Sequence, residues 1–157
     1  MGTKGIVSAL CQKYDTRDPF EIARQRKIIV QFEPLGGVYG YYSKSFRQQF
    51  IHINPGLDEQ QTLFTACHEL AHALLHTDQN TPFLRASTMF SVDKLEMQAN
   101  KFAVHLAFSD AQLQEFLSRS ITDAADYMGV CVQLAEYRMS SVRPSAEAVA
   151  IAAAQCV

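Results

Sequence analysis

The sequence predicts an α+β fold in which a small, mainly antiparallel three-stranded sheet packs on one long helix and a helical C-terminal part follows. Three observations lead to this fold class. Residues 28–54 contain three short β-rich runs separated by turn signals. Residues 60–76 repeat apolar side chains at helical spacing, and from residue 93 onwards only helical patterns recur.

Two short amphipathic helices are predicted before the sheet, at residues 6–13 and 18–26. The second should begin with Asp18 as its N-cap and Pro19 at its first helical position, because proline fits where no backbone donor is needed. Gly36-Gly37 is a turn signal between the first two strands. The strands are predicted at residues 28–32, 38–43 and 49–54.

The central helix is the element with the strongest signals. Asp58 and Gln61 match a capping box, which predicts that the helix begins there and continues to about residue 76. Residues 77–90 lack a steady period and are predicted to form a long loop. Further helices are predicted at 93–107, from Ser109 to about 118, and as a helix-turn-helix-like pair at 122–139 that is broken by Gly129-Val130.

The length of 157 residues is typical of one domain. We expect it at residues 1–143, with the Ala-rich residues 144–157 as a loosely held terminal helix or tail. The net charge of −2 and 48% hydrophobic residues exclude a disordered chain and a basic nucleic-acid binder. This charge gives no reason to expect a direct nucleic-acid partner. No membrane partner is expected either, since the first residues lack a signal-peptide pattern and no apolar run has the length of a membrane span.

Cysteine spacing bears on the cellular compartment. The four cysteines lie far apart, and no C-x-x-C pair suggests a cysteine-bound zinc or a redox motif. We therefore expect a cytoplasmic protein in which these residues act as small apolar side chains.

His68, Glu69 and His72 carry the chemistry of the central helix. Histidines four residues apart lie on one helix face about one turn from each other, so both imidazoles can bind the same metal ion. In H-E-x-x-H sites the glutamate is not a ligand; it takes the proton of the attacking water and passes it to the leaving amine. The pattern therefore predicts a Zn²⁺ site for peptide hydrolysis with Glu69 as general base.

A catalytic zinc usually has a third protein ligand, and Glu96 is the best candidate. Asn100, one turn further on, could accept a hydrogen bond from a ligand histidine and act as its outer partner. In the alternative, Asp93 and Glu96 form a capping box and Glu96 folds back onto the helix start. His76 lies another turn beyond His72, and we interpret it as a residue that satisfies the last carbonyl groups of the helix.

Other polar residues have weaker claims to the site. His105 is nine residues after Glu96 and should point to the opposite side of that helix. Cys67 faces the apolar stripe and is expected to pack in the core. The stabiliser of the oxyanion is left open, with candidates by residue type alone at Tyr41, Tyr42 and Arg138.

The two halves of the motif together resemble the ImmA/IrrE family of metallopeptidases. That family has H-E-L-x-H-x-x-x-H followed by E-x-E/Q-A-N-x-F-A, and this chain has HELAHALLH at 68–76 and LEMQANKFA at 95–103. With the preceding strands and the later helix pair, the resemblance covers roughly residues 19–139. Where the family usually has a Leu-Met-Pro-like end to the second helix, this chain has Leu106-Ala107-Phe108-Ser109, which leaves the substrate preference open.

The resemblance implies a minimal zincin-like fold, a zinc held by His68, His72 and Glu96, and Glu69 as general base. Family members act beside helix-turn-helix repressors on mobile elements or in stress responses. The implied activity is a zinc-dependent endopeptidase that cleaves a transcriptional repressor. Its protein substrate would lie as an added strand along the sheet edge above the zinc.

Two alternatives to an endopeptidase stay open at this point. One is a DNA-binding regulator that uses the pair at 122–139, although Gln133 and Arg138 are the only evident readers on its second helix. The other is a metal-bound regulatory module without turnover. Glu69 argues against this module, because a structural zinc site has no use for a general base.

Overall fold

The computed structural model describes residues 1–78 and 93–156, so most of the loop predicted at 77–90 lies outside the described residues. The α+β class is confirmed, with three strands and eight α-helices in the described ranges. The elements are α1 Thr3–Tyr14, α2 Pro19–Gln25, β1 Ile29–Phe32, β2 Gly40–Ser45, β3 Gln48–Ile53, α3 Glu59–Leu75, α4 Lys94–Ala107, α5 Asp110–Leu113, α6 Ile121–Met128, α7 Val132–Met139 and α8 Ala146–Gln155.

Local capping signals set the starts of α2 and α3 as predicted. The Asp18 side chain accepts a hydrogen bond from the backbone of Phe20 at 2.9 Å, and Pro19 is the first helical residue. Asp58 and Gln61 form both bonds of a capping box, at 2.8 and 3.1 Å. These interactions are made between residues close in the chain, so the sequence pattern is sufficient to predict them.

The sheet is mixed rather than mainly antiparallel. Its strand order is β1-β3-β2, in which β3 is antiparallel to β2 and parallel to β1. The loop after β1 spans the width of one strand, so β2 lies two strand positions away from β1. The next strand, β3, lies between β1 and β2. An alternating apolar pattern shows which face of a strand is buried and not which strand is its neighbour, which is why the pairing was not predictable.

The central helix α3 is buried on all sides over most of its length. Every residue from Phe64 to Ala73 is buried, and the helix packs against β2, β3 and α4. The sheet contributes Tyr42, Ile51 and Ile53 to the core, all with at most 1% exposure. A helix enclosed in this way keeps water from its polar residues unless a cleft opens to them.

The C-terminal helices differ from the predictions in one element. The helix expected from Ser109 to about residue 118 is divided into α5 and a 3-10 helix at Gln114–Ser118. The Gln114 amide donates to the carbonyl oxygens of Asp110 and Arg143, which ties this segment to the end of the helical region. Gly129 adopts φ +65 between α6 and α7, as its role in the predicted break requires.

The predicted tail forms helix α8, capped by the Ser145 side chain. All described residues of this helix are exposed, including Val149 and Ile151. None of the four cysteines forms a disulfide. Among the described residues, no helix has the length and apolar character needed to span a membrane.

Candidate metal centre

The side chains of His68, His72 and Glu96 meet between α3 and α4. The Nε2 atoms of the two histidines are 3.2 Å apart, and the two oxygens of Glu96 lie 3.2 Å from His68 Nε2 and 3.0 Å from His72 Nε2. Both imidazoles are at least 99% buried, and the carboxylate is 16% exposed. Two nitrogens and one carboxylate therefore face a common point in the protein interior.

These three side chains fit a metal ion with tetrahedral coordination. Bonds of about 2.0–2.1 Å to nitrogen and oxygen, at tetrahedral angles, separate neighbouring ligand atoms by about 3.3 Å. The two Nε2 atoms are 3.2 Å apart, and each has one of the two Glu96 oxygens at 3.0–3.2 Å, which is close to the spacing in such a tetrahedron. The two Nε2 atoms can share only one proton between them, whereas a cation at this point satisfies all three groups.

The outer partner of His68 lies where the sequence predicts it. The Oδ1 atom of Asn100 is 2.9 Å from His68 Nδ1, and both side chains are buried. Asn100 is four residues after Glu96, so one face of α4 provides both groups. Asp93 caps this helix through the backbone N–H groups of Leu95 and Glu96, which leaves the Glu96 carboxylate directed at the histidines.

The charge states around the centre are those that a cation needs. Burial raises the pKa of Glu96, but hydrogen bonds from His68 and His72 outweigh it and hold that pKa at about 2. Burial lowers the pKa of His68, against the opposing effect of Glu96. An ionised carboxylate and a neutral imidazole both present lone pairs to a metal.

Glu69 lies beside the centre in an environment that disfavours its charge. It is fully buried, and neither carboxylate oxygen has a well-formed hydrogen bond. Burial raises its pKa well above the usual value and the Glu96 carboxylate raises it further, while the backbone N–H of Tyr42 acts in the opposite direction. A buried carboxylate without a partner is costly, so this group is suited to a bound water or a nearby cation.

Strand β2 approaches α3 most closely at Gly40. A Cβ atom at this position would lie 2.7 Å from the Thr65 methyl group, 2.7 Å from the His52 carbonyl oxygen and 3.5 Å from Glu69 Cγ. The glycine therefore allows an edge of the sheet to pass directly over the Glu69 side chain. Sequence reasoning missed this residue, although a glycine inside a predicted strand is a known signal of close backbone approach.

Comparison with known proteins agrees with this geometry. The family model of the IrrE N-terminal-like domain, a peptidase family, matches residues 23–140. The chain belongs to the ImmA/IrrE family of metallopeptidases. Immunity region protein 2 of Bacillus phage phi105 is 36% identical over 138 residues, covering 86% of this chain and 87% of the relative. Metallopeptidase ImmA of Bacillus subtilis strain 168 is 33% identical over 147 residues, covering 90% of this chain and 86% of the relative.

The remaining family histidine, His76, does not have the role that we expected. Its backbone N–H caps α3 by donating to the His72 carbonyl oxygen at 2.9 Å. Its ring does not satisfy helix carbonyls and instead connects His72 with Gln98, at 3.0 and 2.9 Å. His76 as a whole is 7% exposed, and its partner Gln98 lies on α4. Helical spacing alone could not reveal this partner.

His105 and Cys67 lie where the sequence predicts them. His105 is on the side of α4 away from Glu96, with Nε2 3.2 Å from the Tyr137 hydroxyl. Cys67 is completely buried in the apolar core, and burial raises the pKa of its thiol. A neutral thiol in such surroundings packs as a small apolar side chain.

The three candidates for an oxyanion stabiliser all have other partners. The Tyr42 hydroxyl donates to the Thr77 carbonyl oxygen at 2.9 Å. Tyr41 stacks on the imidazole of His52, with ring centroids 4.1 Å apart. Arg138 is 1% exposed and donates to Asp110 at 2.6 Å. None of these arrangements directs a donor at the metal centre.

In the helix pair α6 and α7, helix α7 packs on α4 and helix α6 contacts the start of α3. Tyr137 of α7 contacts His105 on the far side of α4, and the Tyr127 carbonyl accepts from Gln60 at the start of α3. His68 and His72 lie two to three turns further along α3. The described contacts of this pair are therefore with α4 and with the start of α3.

Proposed function

We propose that this ImmA/IrrE family metallopeptidase is a zinc-dependent endopeptidase. His68, His72 and Glu96 would hold the zinc, and Glu69 would act as general base. The observation that carries the proposal is the convergence of the two Nε2 atoms and the two Glu96 oxygens at 3.0–3.2 Å, with the fully buried Glu69 carboxylate beside them. A catalytic zinc with three protein ligands keeps a fourth position for water, and this donor set supplies three.

The chain's own residues supply the proton transfers of peptide hydrolysis. Bound zinc would polarise the peptide carbonyl and make water a stronger acid. The Glu69 carboxylate accepts one proton from the water whose oxygen adds to the carbonyl carbon. It then donates that proton to the leaving nitrogen as the C–N bond breaks, so the base is regenerated. Glu69 lies in the buried part of α3, which limits the access of bulk water to its carboxylate.

Strand β2 provides the surface for an extended peptide. It is an edge strand of the sheet, and the Tyr42 backbone N–H and Gly40 both lie next to Glu69. A peptide that pairs with this edge would bring its backbone to the general base. We propose that the substrate is a helix-turn-helix transcriptional repressor, cleaved in the cytoplasm to derepress a mobile element or a stress response. The relative named as a phage immunity region protein supports the mobile-element context.

The alternative of a metal-binding regulatory or DNA-binding protein without turnover is less well supported. Arg138, one of the two evident readers on α7, is buried on Asp110 and cannot reach DNA without unfolding its surroundings. Because DNA affinity depends largely on exposed Lys and Arg, this helix pair lacks a basic surface for duplex binding.

The decisive experiment compares wild type and Glu69→Gln on the purified repressor encoded beside this protein. We expect cleavage by wild type and a loss of about 10²-fold or more in the variant, because glutamine cannot accept the proton of the water. Both proteins should contain close to one zinc per chain. Glu59→Gln is the matched control, since Glu59 is exposed on the first turn of the same helix. An active Glu69→Gln enzyme would contradict the mechanism.

A further inference from the structure

We propose that His76 and Gln98 form an outer hydrogen-bonded chain that fixes the ring orientation and proton position of His72. The inference rests on the proposed zinc site and adds two positioning residues to it. His76 Nδ1 is 3.0 Å from His72 Nδ1, and His76 Nε2 is 2.9 Å from Gln98 Oε1. The chain runs from the metal centre to the partly exposed surface of α4.

Only one arrangement of protons satisfies every contact in this chain. His72 directs Nε2 at the metal centre, so its single proton must be on Nδ1. That proton is donated to Nδ1 of His76, which must then carry its own proton on Nε2 and donate it to the Gln98 oxygen. If the Gln98 amide were reversed, its N–H group would face the N–H group at Nε2 of His76, and two donors cannot form a hydrogen bond with each other. The Gln98 oxygen thus determines which nitrogen of each imidazole is free.

Helix α4 contacts both histidines of the proposed site, one directly and the other through His76. Asn100 contacts Nδ1 of His68 directly at 2.9 Å. His72 is one turn further along α3, and there His76 bridges the space to Gln98. Helix α4 therefore supplies the ligand Glu96 and the anchors of both ligand histidines. Such outer partners restrict ring rotation and increase the basicity of the ligating nitrogen.

Two substitutions at His76 separate hydrogen bonding from packing. His76→Phe keeps a ring in the same space but removes the acceptor for the His72 proton. His76→Asn removes the ring, but its Oδ1 atom is the same number of bonds from the backbone as Nδ1 of histidine. It can therefore accept the His72 proton. Loss of an outer partner typically weakens metal binding by about 10–100-fold, so we expect that loss in His76→Phe and a substantial recovery in His76→Asn.

The test measures zinc affinity by competition with a chromophoric chelator, and the visible absorption spectrum after loading with Co²⁺ alone. His76→Phe and Gln98→Met should both weaken zinc binding and alter the Co²⁺ spectrum. His105→Phe is the matched control, because this buried histidine lies on the opposite side of α4 and contacts Tyr137 instead. Thermal unfolding of the metal-free proteins shows whether each variant folds.

The outcomes distinguish this inference from the proposed function. If folded His76→Phe has the zinc affinity and Co²⁺ spectrum of wild type, the positioning role is wrong while the zinc site stands. If His76→Asn is as weak as His76→Phe, an accepted hydrogen bond is not what matters and the inference is overturned. If wild type itself binds no zinc, the proposed function fails, and the inference fails with it.

Discussion

Replacement of Gly40 by alanine tests whether close approach of β2 to α3 is needed for both stability and cleavage. The added Cβ would be 2.7 Å from the Thr65 methyl group and from the His52 carbonyl oxygen. Ordinary contact begins near 3.4 Å, so the strand or the helix must move by about 0.7 Å. One of the two neighbours is backbone in the middle of the sheet, which limits how the structure can adapt.

The cost of this change follows from the size of the overlap. Overpacking a dense core typically costs about 1–3 kcal/mol in unfolding free energy, which corresponds to a fall of about 2–12 °C in Tm for a chain of this length. The residues proposed to hold zinc lie on α3 and α4, so zinc content should stay close to that of wild type. Cleavage should fall by about 10–100-fold, because a shift of about 1 Å near the reacting groups can cost 10²-fold.

Thermal unfolding and single-turnover cleavage of the proposed repressor substrate are the assays for Gly40→Ala. Gly37→Ala is the control, since a Cβ at Gly37 would meet nothing within 4 Å. We expect the control to match wild type or to gain slightly in Tm, because alanine reduces the entropy of the unfolded chain. If Gly40→Ala has the Tm and the cleavage rate of the control, our account of this strand is refuted.

Three further predictions concern metal binding, pH dependence and the tail. His68→Ala and Glu96→Ala should each lose the zinc measured by metal analysis, and full retention in both would refute the ligand assignment. Burial and nearby cations lower the pKa of His105 from 6.5 to about 4. The folded protein therefore favours neutral His105. As the pH falls from about 6.5 towards 4, His105 gains a proton in the unfolded chain but not in the folded chain. Up to about 3 kcal/mol of unfolding free energy should be lost in this range, and denaturant titrations should show a smaller loss in His105→Phe. Removal of residues 145–157 should leave Tm and cleavage close to wild type, because α8 is exposed along its length; a large loss of either would show that the tail is part of the folded domain.

The centre as a whole shows how far spacing can predict a site. Four-residue spacing was enough to place His68 and His72 on one face, and an Asn four residues after Glu96 was enough to predict a partner for His68. These relations lie within single helices, whose geometry is the same in every protein. The angle at which α3 and α4 cross does not follow from either helix, so the 3.0–3.2 Å distances between them required the structure.

The sequence by itself determined the fold class, the bounds of most elements and the residues with the chemistry of a metal centre. Capping side chains, helical spacing and glycine at the α6–α7 break act between near neighbours, so they can be recognised without the fold. Tertiary structure decided the parallel pairing of β1 with β3, the burial of Arg138 and the close approach of Gly40 to Glu69. It also decided that the His76 ring contacts His72 and Gln98 and not the carbonyl groups at the helix end. Each of these depends on packing between elements distant in the chain, which local patterns do not encode.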